Sequence, residues 1–193
     1  MEEYAEQYAA AVAFMRSKNA DSAEHSGGYL LGHLEGTAEL LQSWGNTADV
    51  CLAGLCHAVY GTEGFQRSML DSSQRDVLRE IIGPAAEALV YFYASAERNF
   101  FCPSITRGPV EFRDRFTGEI FAPGEAMIRD CLELMLANDV EISGRMESYL
   151  RYTQPYNAEL FTRCKDYVSD PGFTSLCDVY GISQDAAGEP HPG

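Results

Sequence analysis

The sequence is poor in basic residues. Fourteen Lys plus Arg stand against 29 Asp plus Glu, for a formal net charge of −15, and so acidic a surface repels phosphate backbones and anionic headgroups. Nucleic acid and membrane surfaces are therefore not expected partners. A small-molecule substrate is, and an anionic one only where a metal or a local basic cluster overrides the field. No C-x-x-C pair occurs among the six cysteines, Cys51, Cys56, Cys102, Cys131, Cys164 and Cys177. A chain of 193 residues does not need a disulfide framework, so the thiols are expected reduced and mostly buried. No apolar run approaches the roughly 18 residues of a membrane span, and Met1-Glu2-Glu3-Tyr4 is acidic where a signal peptide is basic. The expected location is the cytoplasm. Also missing are a Gly-rich phosphate loop followed by Lys-Ser or Lys-Thr, a G-x-S-x-G turn and an H-E-x-x-H helix.

What is present is the composition of a globular domain: 46% hydrophobic, 22% charged and 11% aromatic residues exclude a disordered or collagenous chain. The length predicts one domain over residues 1–182 with a polar tail over 183–193. The period is helical. Tyr4, Tyr8, Ala11, Val12 and Met15 make a first stripe, and Leu30, Leu34, Ala38 and Leu41 make a second that carries His33 and closes at Gly45-Asn46. Thr47 or Asp49 can cap a third helix over Val50–Tyr60, with Ala53, Gly54 and His57 on one face. Ser73-x-x-Asp76 predicts a capped fourth helix stopped by Gly83, and Pro84 opens a fifth that runs to about Arg98. Residues 99–124 break the period with three prolines and three glycines and predict a non-helical insertion containing a small hairpin. Glu125–Val140 is a sixth helix with Asp139 inside its apolar stripe, and further helices are expected over Arg145–Tyr152 and Tyr156–Val168. The fold class is all-α.

The chemistry-bearing residues concentrate early. His25, His33 and His57 lie within 33 positions, and the tail's His191, between two prolines, is discounted as a ligand. His33 and His57 sit on consecutive helices, and Asp139 on a later one needs a partner because a carboxylate in an apolar stripe is costly. Two imidazoles and a carboxylate converging from separate helices can hold zinc, manganese or iron; hydrogen-bonded core histidines are the other reading of the same spacing. Arg113 and Arg115 beside Asp114 can form a phosphate clamp or face water. Tyr91-Phe92-Tyr93 with Phe100-Phe101 can floor an apolar pocket or simply fill the core.

The stretch His25-Ser26-Gly27-Gly28-Tyr29-Leu30-Leu31-Gly32-His33-Leu34, followed 24 residues after His33 by His57-Ala58-Val59-Tyr60-Gly61-Thr62, resembles the HD-domain superfamily. The Ser-Gly and the spacing are similar to the hydrolase domain of the bifunctional guanosine-tetraphosphate enzymes. Asp49 through Phe65 looks closer to a small branch of unknown function that reads His-Ser-x-Tyr-Gly-Thr here. The resemblance covers about residues 22–98, and Asn138-Asp139 more loosely. It implies an HD-like helical bundle in which His33, His57 and Asp139 are metal ligands. Ala58 stands where the His-Asp doublet has its aspartate, and Gly61 and Thr62 stand where the tetraphosphate hydrolases carry an acidic pair, so that hydrolysis is not implied. His25, Glu63 from the turn after the third helix, or a water can take the aspartate's place; His25 is preferred, since an imidazole suits iron, zinc or manganese. Tyr60 and Thr62 offer hydroxyls to orient a substrate, unless Tyr-Gly-Thr is only a helix stop.

The resemblance thus implies a metal-dependent enzyme acting on a small molecule, hydrolytic toward a phosphoester or oxidative. The alternative is a metal-free, degenerate HD domain that binds a small molecule or serves as a biosynthetic tailoring protein. A homodimer is compatible with either.

Overall fold

The first apolar stripe forms α1 (Glu2–Ser17), which buries Ala11 and Met15. The computed structural model describes residues 2–183, so the expected polar tail beyond Ser183 and His191 fall outside the described residues. A two-residue turn at Ser26-Gly27, both with positive φ (36° and 79°), joins β1 (Glu24–His25) to β2 (Gly28–Tyr29). Positive φ at both central positions is the hairpin geometry that matches strand twist. The Leu30 amide bonds the Ala23 carbonyl at 2.8 Å and ties this hairpin to α2 (Leu30–Ser43). Thr47 then caps α3 (Ala48–Cys56), its Oγ1 accepting from the Val50 amide.

Every residue from Val50 to Cys56 in α3 is buried, because α2 and α5 pack on it from two sides. Gly54 makes the α2 contact close: a Cβ there would lie 2.4 Å from Leu41 Cδ1. The helices α4 (Arg75–Ile82) and α5 (Pro84–Ser95) follow, and α5 opens on Pro84 as expected. The longest helix is α7 (Glu125–Arg145), buried without a break from Cys131 to Ser143 and packed against α2, α3 and α5. On its other side lie α8 (Glu147–Arg163), a 3-10 turn (Lys165–Tyr167) and α9 (Asp170–Tyr180). Buried side chains from all the α-helices except α8's first turns join one apolar cluster.

The all-α expectation holds: among the described residues the strands are two short pairs. All six cysteines are buried and unpaired. No helix among the described residues is long and apolar enough to cross a membrane.

Several boundaries are corrected. The expected non-helical insertion begins with α6 (Arg98–Arg107), which runs through Pro103 because Phe101, Cys102 and Ile105 are buried along one side. Only its second half is the hairpin, β3 (Phe112–Arg113) against β4 (Ile120–Phe121). Phe112 is fully buried and stacks on Phe92 with ring centroids 3.9 Å apart, a burial worth about 1.5–3 kcal/mol. The Ser73 capping box does not form; α4 starts after Gln74, and Asp71 Oδ1 accepts from the Ser73 amide instead. The third helix stops at Cys56, not Tyr60, and the sixth runs on to Arg145. The two expected C-terminal helices are replaced by continuous α8, which passes through Pro155, while α9 was not foreseen.

Candidate functional site

Two histidines meet where α2, α3 and α7 cross. His33 lies in the first turn of α2, and His57 caps the C-terminal end of α3; both are buried. Each has one ring nitrogen fixed by the fold. His33 Nδ1 is bonded to a Glu141 carboxylate oxygen from α7, and His57 Nδ1 lies 2.7 Å from the Gly54 carbonyl. Carboxylate and carbonyl oxygens accept, so both Nδ1 atoms carry a proton, and each Nε2 is left to offer a lone pair or take a second proton. Those Nε2 atoms face each other at 3.2 Å, and Asn138 Oδ1 lies 3.2 Å from His33 Nε2. The Asn138 amide is oriented by its other end, where Nδ2 donates to Asp139 Oδ1 at 3.4 Å.

With unprotonated Nε2 atoms three acceptors converge, and such a cluster is stable only with a proton or a cation against the lone pairs. Bonds of about 2.05 Å at a tetrahedral angle put two ligand nitrogens roughly 3.3 Å apart, matching the pair. An N–H···N bond of 3.2 Å would lie at the long end of hydrogen-bond geometry. Burial, then the neighbouring His33, hold the His57 pKa well below the ordinary histidine value, which favours its neutral, ligating form. The Nδ1 bonds are those that orient metal-ligating imidazoles in general. Gly36 is part of the arrangement: a Cβ there would lie 2.7 Å from Glu141 Oε1, so only glycine lets that carboxylate, itself paired with Arg145 Nε, approach α2.

Asp139, expected as the third ligand, is placed differently. It is buried, but its Oδ1 accepts from the Tyr149 hydroxyl at 2.7 Å and from Asn138. Successive helix residues point about 100° apart, so with Asn138 against the imidazoles Asp139 turns toward α8. Among the described residues no three His, Cys, Asp or Glu side chains are positioned to hold a metal ion. Burial raises the Asp139 pKa, opposed by the Arg98 charge and the Tyr149 bond. The donor set that fits a divalent ion is thus two imidazole nitrogens and an amide oxygen, with a carboxylate one residue away.

A cavity of about 130 Å³ opens onto this cluster. His25 lines it from the hairpin, its ring 4.7 Å from that of His33 and 4.8 Å from that of Phe65. Burial, then His33, lower the His25 pKa to about 4, so the ring is neutral near pH 7. Ala58, in the place of the doublet aspartate, lines the same cavity, as do His57 and Thr62. Thr62 is nevertheless engaged in the turn that follows α3, its Oγ1 accepting from the Phe65 amide at 3.0 Å.

Tyr60 and Glu63 are not brought to the cavity. The Tyr60 hydroxyl donates to Glu87 at 3.0 Å, in a buried network where Arg75 binds the same carboxylate at 2.6 and 2.8 Å. Glu63 is exposed and accepts the Arg98 amide at 3.4 Å. Nor is there a phosphate clamp: Arg113 pairs with Glu97, and Arg115 donates to the Ala94 and Gly61 carbonyls. Asp114 is buried, accepting the Phe116 and Thr117 amides and the Tyr91 hydroxyl. Of the five aromatics expected to floor a pocket, Tyr93 lines this cavity, beside Phe65 and Tyr149, and its ring packs edge-on against His57 at 5.4 Å. Sequence reasoning missed Glu141, Arg98 and the role of Asn138; the signal for two of them was the i, i+3 spacing of Asn138 and Glu141, which puts both on the α7 face toward α2.

A family model described as a domain of unknown function (DUF6817) matches residues 14–98. That span includes His25, His33, His57, Tyr93 and Arg98 and ends before α7. No curated protein and no solved structure matches the chain.

Proposed function

We propose that the chain is an HD-like, metal-dependent enzyme acting on a small molecule, hydrolytic or oxidative. The observation that carries this reading is the convergence of His33 Nε2, His57 Nε2 and Asn138 Oδ1, three acceptors with their orienting partners already fixed. His33 and His57 would hold the ion, with Asn138 and the Asp139 charge beside them. A bound divalent ion there supplies a Lewis acid for a phosphoryl or carbonyl oxygen, or acidifies a water. The chain's own residues do the rest. His25 offers a neutral nitrogen at the mouth of the cavity, and the apolar edges of Phe65 and Ile142 limit water.

Ala58 favours a second reading, a metal-free protein that keeps the cavity for binding a small molecule, because alanine supplies no ligand where the HD pattern has a carboxylate. Turnover separates the two. A phosphomonoester panel with added manganese, and oxygen uptake with added ferrous iron, are assayed on the unaltered chain and on His57→Ala. Metal-dependent turnover lost in His57→Ala supports the enzyme; no turnover, with a ligand bound in the cavity and no metal uptake, supports the binding protein.

A further inference from the structure

The cavity has a basic wall that the imidazole cluster does not use. Arg98, the first residue of α6, lines it together with Tyr93. Arg98 Nη2 donates to the Tyr93 hydroxyl at 2.8 Å. A guanidinium carries five N–H donors, and among the described residues this one forms no ion pair; Glu63 takes only its main-chain amide. The Tyr93 hydroxyl, accepting from Arg98, keeps its own proton for another acceptor. Both groups line the cavity together with His57, and the Tyr93 ring lies 5.4 Å from that of His57.

In a chain of net charge −15, a half-buried guanidinium that Asp139 offsets only beyond ion-pair distance is left for a ligand to complete. It is also the local positive charge an anion needs to overcome the surrounding acidic field. Size restricts the anion. At about 130 Å³ the cavity is smaller than the roughly 300–1,000 Å³ of pockets that take drug-sized ligands, which suits a short organic acid or a small phosphate ester.

We propose that this cavity binds a small organic anion, with its acid group on Arg98 and Tyr93 and its other end toward His33 and His57. The second half of that statement rests on the proposed function; anion binding itself does not require a metal.

Calorimetry on the purified full chain tests it, with metal content measured on the same sample. The probes are malonate and glycerol 3-phosphate, against their uncharged counterparts malonamide and glycerol. The acids are expected to bind at least about tenfold more tightly than the counterparts, and Arg98→Met to weaken them by about tenfold or more. Arg98→Lys, which keeps the charge without the planar fork, falls between. A preference for malonate marks a carboxylate ligand and a preference for glycerol 3-phosphate a phosphate one. Should Arg98→Met not fold, judged by circular dichroism, the acid-against-counterpart comparison on the unaltered chain decides alone. Failure of both acids to bind, equal binding of the counterparts, or undiminished binding by folded Arg98→Met overturns the proposal. Acid binding without metal uptake would leave the anion site standing and remove the metal-dependent reading; metal uptake without acid binding would do the reverse.

Discussion

His33 and His57 present their Nε2 atoms to each other at 3.2 Å, while Glu141 and the Gly54 carbonyl hold the two Nδ1 atoms. Glu141 thus fixes the tautomer and angle of a ring it does not share a helix with. Glu141→Gln keeps an oxygen for His33 Nδ1 but removes the charge. Metal affinity is expected to fall by about 10–100-fold, read by competition against a chelator, with helix content unchanged. Unaltered affinity would mean that His33 is not a ligand.

Gly36→Ala acts on the same carboxylate from the opposite side. Its Cβ would meet Glu141 Oε1 at 2.7 Å and Arg145 Nη2 at 3.1 Å, so Glu141 must move away from His33. Alanine is the better helix former, and the thermal midpoint is expected to change little while metal affinity drops. Gly54→Val should do the reverse: its clash is with buried Leu41, and overpacking costs about 1–3 kcal/mol of stability.

Glu87 is fully buried and binds Tyr60, Arg75 and Arg79. Glu87→Ala leaves the Tyr60 hydroxyl unpaired and is expected to cost about 2 kcal/mol or more in urea unfolding, less than a fully enclosed pair because both arginines reach solvent. Glu147→Ala, which removes an exposed partner of Arg151, should leave the midpoint where it was. Equal effects would contradict the assignment of the Glu87 network to the core.

Acid should destabilise the fold partly through His25. Its pKa is near 6.5 unfolded and about 4 folded, so the unfolded chain takes up the proton first. The stability tied to the neutral ring is complete above pH 6.5 and is lost as pH falls toward about 4. His57 acts in the same direction, whereas Asp139, with its pKa raised, resists folding above its unfolded value and is relieved by acid. His25→Gln should therefore flatten the fall in urea midpoint between pH 6.5 and about 4; an unchanged slope would show that the ring titrates normally.

The helical frame was legible because apolar spacing and turn residues agree over most of the chain, as at Thr47 and Pro84. His33 and His57 could be paired from their place on consecutive helices. What escaped was decided by tertiary contact. α6 forms in spite of Pro103 because Phe101 and Ile105 find a core to enter. α9 carried its own signal, a Ser169 cap followed by Pro171 in the first turn, in a stretch between the last expected helix and the tail that was assigned no element. The choice of Asp139 over Asn138 followed from valuing a carboxylate by its chemistry, when helix phase and the Tyr149 hydroxyl decide which side chain faces the imidazoles. Tyr60 was drawn to the site by its nearness in sequence to His57, while the buried Glu87 drew its hydroxyl elsewhere.

Metal uptake by the His33–His57 pair is the central claim, and equilibrium dialysis of the chelator-stripped chain against zinc, manganese and ferrous iron tests it most directly. The account predicts near-stoichiometric binding of at least one of these ions by the unaltered chain, lost in both His33→Ala and His57→Ala while their circular dichroism stays helical. A folded, stripped chain that takes up none of the three, or variants that bind as the unaltered chain does, would contradict it.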